Sequence, residues 1–340
     1  MRLVWRLSFG ILLAPIAAQS TFAEEPFFKG KTIRILLSAG VAGGYAEYAR
    51  LLSQHMGNHI AGKPEFIVQS MPGAGGLLAT NYLFAQAPAD GTTIGLIHST
   101  VPLAPLFGSK GSRFDPLQFN WLGSLDRSDG MCTSWASAPV KTWADMFTQQ
   151  FIVGSSGAGS QMDIYPAMLN KLFGTRIKVV SGYKDGNDIF LAMERGEIHG
   201  RCSPQLTALQ SIRPSWLTER KINVPILIAE RRSKDFPDTP HIYEFARDEA
   251  TRQQLDLLVI TQNMDRPLLL PPGVPAERVQ ELRAAFNATV ADPAFRAEAE
   301  RMRLHLDPVP GEELAKALAR AYALPAEIVA SAKETMGGAN

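Results

Sequence analysis

The chain has 340 residues, 46% of them apolar and 20% charged, with 34 lysines and arginines against 33 aspartates and glutamates. The length suits two domains of roughly 100–200 residues each, and the composition excludes a disordered chain, a many-span membrane protein and a small cysteine-stapled scaffold. No stretch gathers one sign of charge, so the basic footprint of a nucleic-acid-binding protein is missing.

Residues 1–23 read as a secretory signal peptide. Arg2 and Arg6 open it, an apolar run follows at 7–18 (LSFGILLAPIAA), and Thr21-Phe22-Ala23 sets small residues at minus three and minus one. The run falls short of the ~20 residues that cross a bilayer. Cleavage is predicted after Ala23, which sends the mature chain to the periplasm as a soluble protein.

A short β-type run at 32–37 (TIRILL) leads through a glycine-rich loop at 38–44 into a helix at 45–56. A second strand at 65–69 (EFIVQ) is followed by the loop MPGAGG at 71–76 and a helix at 77–86. Residues 92–97 (TTIGLI) form a third strand. Such βα alternation predicts α/β layers with parallel strands. Residues 100–121, rich in proline and glycine and without a period, read as a surface excursion.

An extended segment at 130–136 precedes a second round of strand (151–153), loop (GSSGAGS, 154–160) and helix (161–173). A strand at 177–180, the loop SGYKDG at 181–186, a helix at 187–195 and a strand at 198–202 complete it, with Asn187 or Asp188 capping that helix and Gly196 ending it. The strand at 222–229 carries Pro225, which places it at a sheet edge or a crossover. Beyond residue 272 the pattern is helical, at 274–290, 293–303, 311–323 and 325–336, and this tail is expected to pack on the first domain. The domain reading is therefore an inserted one: lobe 1 from 24–130 and 223–340, lobe 2 from 131–222, with two chain crossings between them as a hinge.

Catalytic signatures are absent: 154–158 fails G-x-S-x-G at Ala158, Gly73 and Gly75 are followed by Leu78 where the dinucleotide fingerprint needs glycine, and no Walker motif occurs. His55 and His59 stand four apart, but no third ligand follows at a zinc spacing, and such histidines more often complement a helix end. No metal or cofactor is expected. Cys132 and Cys202 lie in a compartment that permits a disulfide, and their spacing leaves open whether they pair or stay as two buried thiols.

The chain does have four glycine-rich loops that feed helix N-termini, at 38–45, 71–77, 154–160 and 181–187. Each offers backbone N–H groups and the positive end of a helix dipole to an anion such as a carboxylate. Any one such loop is an ordinary tight turn; four in a two-lobed layout suggest an anion clamp. Around them, Ser155, Ser156 and Ser160 can donate to carboxylate oxygens, although Ser160 with Asp163 also spells a capping box. Tyr45 and Tyr183 can close over a ligand or pack in the core. Ser99 and Thr100 sit at the carboxyl end of the third strand, where open α/β sheets bind ligands. Arg201 is the leading cation, with a surface pairing to Glu194 or Glu197 as its alternative.

Six stretches resemble one known family: GGYAEYARLL at 43–52, the block from Phe66 to Gly95 with P-G-A-G-G and A-P-A-D-G-T, VGSSGAGS at 153–160, GYKDGND at 182–188, LAMERGEIHGRC at 191–202 and LPPGV at 270–274. They are similar to the periplasmic receptors of tripartite tricarboxylate transporters, the Bug-type proteins, over essentially the whole chain. The resemblance implies a two-lobed type II periplasmic-binding-protein fold, a Venus flytrap hinged on two crossover segments. It also implies a small organic carboxylate as ligand, a two-component membrane permease as partner and no chemistry on the ligand. Carried onto this sequence, it points to Gly43, Gly44, Tyr45, Gly73, Ala74, Gly75, Gly76 and Ser99 in the first lobe. In the second it points to Ser155, Ser156, Gly157, Ser160, Tyr183, Gly186 and Asn187. Many relatives carry aspartate where this chain has Ala46, beside Glu47. The expected protein is a monomeric receptor. The alternatives are an exported enzyme on the same fold, with Ser155, Ser156 or the Cys132 thiol as nucleophile, or a sensor module.

Overall fold

A computed structural model describes residues 25–41, 44–157, 160–183, 186–204, 206, 209–210, 213–229 and 232–337. The predicted signal peptide and its cleavage point lie outside them. The chain builds two mixed sheets. The first has six strands in the order 309–310, 120–124, 267–270, 93–96, 32–37 and 65–70, and the second five in the order 177–181, 151–155, 200–204, 130–135 and 222–228.

In the first sheet, β1 (Thr32–Leu37), β2 (Glu65–Ser70) and β3 (Thr93–Leu96) run parallel, while β4 (Asn120–Ser124), β10 (Pro267–Leu270) and β11 (Val309–Pro310) pair antiparallel. The pleat sorts side chains by parity. Ile33, Ile35 and Leu37 enter one core with α1 (Gly44–His55), α8 (Ala276–Ala291) and α9 (Pro293–Arg301), whereas Leu36 enters the core on the opposite face. That second core is filled by α2 (Leu77–Ala85), α7 (Glu249–Asn263), α10 (Gly311–Tyr322) and α11 (Ala326–Gly337). His55 and His59 are not placed as a metal pair: they bond Glu298 at 2.8 Å and Asp292 at 3.0 Å, fastening the end of α1 to α9. Among the described residues no three His, Cys, Asp or Glu side chains are grouped to hold a metal.

The second sheet comprises β5 (Gly130–Trp135), β6 (Phe151–Ser155), β7 (Ile177–Ser181), β8 (Gly200–Pro204) and β9 (Ile222–Ile228). A short α3 (Asp145–Thr148), then α4 (Gln161–Phe173), α5 (Gly186–Glu194) and α6 (Pro214–Thr218) accompany it. Gly196 (φ +73°) ends α5 as expected, its N–H bonding Met193 O while Glu197 N–H reaches back to Ala192 O. β9 is an edge strand, which is where Pro225 is tolerated.

Three expectations need correction. β9 hydrogen-bonds to β5, so a return to the first lobe at residue 223 would cut this strand; the second sheet runs on to 228. The stretch 100–121 is not a surface excursion, because Val101, Leu103, Phe114, Phe119 and Trp121 are buried in the core under α2 and α10. Its apolar side chains lack a period because they cap a core from a single 3-10 turn at Val101–Leu103, an irregular stretch and the start of β4. The helical tail packs on the first sheet, but α11 also reaches the second, where Lys171 of α4 donates to Ser331 O at 3.1 Å. Helix α7 likewise spans both units, placing Leu255 and Leu258 in one core and Leu257 and Ile260 in the other.

Candidate functional site

Parallel pairing decides where the glycine loops go. Leu37 lies opposite both Ser70 and Leu96, so the loops after β1, β2 and β3 emerge at one end of the first sheet. Ser155 lies opposite Ser181, which brings the loops after β6 and β7 together in the second. Such carboxyl ends of parallel strands are where open α/β sheets bind ligands.

The loop after β2 is unusual. Gly73 has φ +147°, and Ala74, Gly75 and Gly76 follow at +46°, +63° and +98°. A run of left-handed residues is costly for any side chain and for Ala74 in particular, and curled backbone of this kind makes anion-binding concavities. Gly76 is closely surrounded: a Cβ would lie 3.0 Å from His98 Nδ1, 3.1 Å from Val101 Cγ2 and 3.3 Å from Ser38 Oγ. His98 Nδ1 is 3.1 Å from Gly75 O. Ser38 Oγ, on a residue only 1% exposed, has no hydrogen-bond partner among the described residues. Burying a hydroxyl unpaired costs about 1–3 kcal/mol, so an unmet one beside the curl marks a place for another polar group. Sequence reasoning did not single out Ser38 or His98.

Tyr45 is tied down by its hydroxyl, which accepts from Ser99 N at 3.3 Å and donates to Asp265 O at 3.0 Å. Its ring meets His98 edge-on at 4.9 Å and lies under the Arg266 guanidinium, 4.3 Å away. Arg266 also covers Tyr48 at 5.0 Å and pairs with Asp265 at 2.7 Å. Burial works against its charge, yet the Asp265 carboxylate and the tyrosine oxygens more than compensate and hold it protonated. Gly44 stands beside this arginine, and a Cβ there would lie in ordinary contact with its Nη2 at 3.4 Å. Gly43 lies outside the described residues. Ala46 is buried in the core, and its neighbour Glu47 lines an open cleft of about 970 Å³ with Tyr48, Asp126 and Arg266.

In the second sheet, Ser155 is buried, its Oγ 3.1 Å from Ser160 Oγ and accepting from Gly157 N at 3.1 Å. Its carbonyl accepts from Gly182 N and Tyr183 N, which joins the two loops. Ser156 is exposed and Gly157 has φ +130°. The Ser160–Asp163 capping box does not form: Ser160 makes no side-chain cap, because its hydroxyl is turned to Ser155. Asn187 is not the cap of α5 either; it stands inside the first turn, where its Oδ1 accepts from Arg213. Arg201 is buried, not a surface residue: it donates to Ser203 Oγ at 2.8 Å, lies 5.2 Å over Phe190 and would meet a Cβ on Gly186 at 2.5 Å. Glu194 pairs with Arg213 and Glu197 with Arg195. The buried guanidinium thus sits against the first residue of α5.

The nucleophile candidates find no catalytic setting. Cys132 and Cys202 face each other across the β5–β8 ladder, Cα atoms 4.0 Å apart, and are joined as a disulfide. Ser155 has Ser160 and Gly157 as its partners in place of a histidine base.

Beneath the first-sheet site, Asp126 is 1% exposed and accepts from Tyr48 OH at 3.3 Å and Arg127 N at 2.9 Å, with His305 Nδ1 at 2.7 Å. Burial pushes its carboxyl up to about 6, and the hydrogen bond to Asp126 raises His305. A raised Asp costs stability above its folded value and regains it as pH falls; a raised His adds stability below its unfolded value and loses it as pH rises. Both shifts have the folded state holding more protons. Stability should therefore fall by about 1–2 kcal/mol from pH 5 to pH 7.5 through Asp126 alone. Denaturant titrations at the two pH values should show this slope flattened in Asp126→Asn; equal slopes would contradict it.

These features, two α/β units with glycine loops clustered at strand ends, define a two-lobed solute-binding protein. The fold is that of a TctC solute-binding protein from Polaromonas (TM-score 0.69, 19% identity, covering 89% of this chain and 99% of that one). A malate-bound MatC from Rhodopseudomonas palustris (0.57, 20%, 92% and 99%) and an R. palustris protein with adipate (0.59, 18%, 89% and 97%) share it. The profile of the tripartite tricarboxylate transporter family receptors matches residues 48–312. The chain belongs to that family, whose members are receptors and not enzymes. Among the described residues no helix is long and apolar enough to cross a membrane.

Proposed function

We propose that the chain is an exported, monomeric periplasmic receptor that captures a small organic carboxylate between its lobes and delivers it to a two-component membrane permease. The lobes divide at the crossing segments 125–129 and 264–266. The observation that carries this reading is the Ser38 hydroxyl, buried and without a partner among the described residues, beside the left-handed curl at 74–76. One carboxylate seats there, accepting from Ser38 and from backbone N–H groups of the loop, while Ser99 and Tyr45 shape its floor. The second-lobe loops at Ser155, Ser156, Gly157 and Ser160 and at Tyr183, Gly186 and Asn187 close over the rest of the ligand. Arg201, held against the start of α5, supplies positive potential for a second acidic group. Malate and adipate in the two R. palustris relatives support a dicarboxylate as ligand class.

Unfolding and refolding removes any carried ligand, after which thermal melts with mono-, di- and tricarboxylates, amino acids and sugars at about 1 mM test the reading. A ligand with Kd near 1 μM adds about 4 kcal/mol to the folded state, so one carboxylate class should raise Tm by several degrees. A panel in which sugars or amino acids alone act would overturn the ligand class.

A further inference from the structure

Hydrogen bonds run without a break from the candidate ligand loop to both chain crossings. Ser99 N–H, just past the end of β3, donates to Tyr45 OH, and Tyr45 OH donates to Asp265 O in the second crossing. The next residue, Arg266, donates its N–H to Ser124 Oγ at 3.0 Å and accepts from Leu125 N at 3.1 Å. Ser124 Oγ in turn donates to Asp126 O in the first crossing at 2.8 Å. Arg266 sits on Tyr45 and so fixes the ring that carries the bridging hydroxyl. Hinges are a few residues that absorb large backbone changes, and this network is where those residues are held to the loop after β3.

We propose that Tyr45 is a positioning residue for closure: its hydroxyl couples occupation of the first-lobe site at Ser99 to the paired crossings at Asp265–Arg266 and Ser124–Asp126. This inference rests on the carboxylate-receptor reading and adds to it a device by which binding is transmitted to the hinge. A ligand that orders the Ser99 loop fixes the donor that Tyr45 accepts. The acceptor at Asp265 is then held in the orientation the closed hinge requires. Ligand shifts the open and closed populations only through its differential affinity for the two, and the hydroxyl is part of that difference.

Tyr45→Phe deletes the hydroxyl and keeps the ring under Arg266. Tyr243→Phe serves as control, because it also removes a hydroxyl hydrogen bond, to Asp256, away from this site. Malate, adipate and citrate are titrated calorimetrically into wild type and both variants, and small-angle X-ray scattering records compaction on saturation. The expected result is about a tenfold rise in Kd for Tyr45→Phe, with ligand-induced compaction reduced, while Tyr243→Phe binds and compacts like wild type. If wild type responds and Tyr45→Phe keeps the wild-type Kd, the coupling is overturned and the receptor reading stands. Weaker binding with full compaction assigns the hydroxyl to the ligand itself and also overturns it. A wild type silent to all three acids removes the reading and the inference together.

Discussion

Replacing Cys132 and Cys202 together by alanine is expected to cost about 4 kcal/mol of stability in the second lobe. The disulfide closes a span of 70 residues, which holds β6, α4, β7 and α5 between its ends. Tying such a loop in the unfolded chain removes conformational freedom that the reduced chain retains, and the logarithmic dependence on loop length gives this magnitude. Both cysteines are fully buried in the core shared with Phe151, Val153 and Tyr165, so the alanines also leave unfilled space there. The first lobe does not contain the cross-link, and its transition should stay in place. Denaturant unfolding followed by fluorescence, with and without reductant, separates the two: the wild-type transition of the second lobe should move to lower denaturant on reduction, and the double variant should not respond. A midpoint that ignores reductant would contradict the assignment, as would an oxidised chain that is not two hydrogen atoms lighter by mass.

The second large effect is expected from Gly76→Ala. The residue has φ +98°, which a side chain seldom adopts, and the new methyl meets His98, Val101 and Ser38 within 3.3 Å. Strain of this kind costs on the order of 1–3 kcal/mol, and its relief requires the 73–76 curl to unwind or His98, Val101 and Ser38 to give way around it. Either change dismantles the carboxylate seat. Affinity should therefore fall at least tenfold, on the order of the 1.4 kcal/mol that one such factor represents. Gly75→Ala is the informative comparison, because its Cβ would meet nothing within 4 Å although φ is +63°. It shares the backbone strain without the crowding. If the two variants bind alike, crowding at Ser38 and His98 is irrelevant to the site.

The sequence was most legible where periodicity and glycine coincide. β1 and α4 occupy the residues their patterns predict, because one alternates between two cores and the other carries apolar positions at helical spacing up to Gly174. What escaped was α7, whose second half is buried against both cores, together with strands buried on every side or too short to show a period. β10 is the run Pro267–Leu270, apolar throughout since it lies in the middle of its sheet, and β11 has two residues. The return point at 223 was misplaced because nothing local distinguishes an edge strand of one lobe from the first strand of the next.

The candidate site divides the same way. Its glycine loops could be read because left-handed backbone demands glycine, as at Gly76. Three of its polar partners could not. Ser38 and His98 meet only because β1 and β3 are parallel neighbours, and Arg266 reaches Tyr45 across more than 200 residues of chain by way of the second crossing. The sequence leaves Arg201 between a cation for the ligand and a surface pairing, and its burial depends on α5 folding across it, which no spacing rule conveys.

The most direct test is a calorimetric titration of the refolded mature protein with adipate and malate, alongside Gly76→Ala. The account predicts one carboxylate bound per chain with a Kd in the micromolar range and a loss of at least tenfold in the variant. Wild type and variant binding with the same Kd, or wild-type protein giving no heat with any carboxylate, would contradict it.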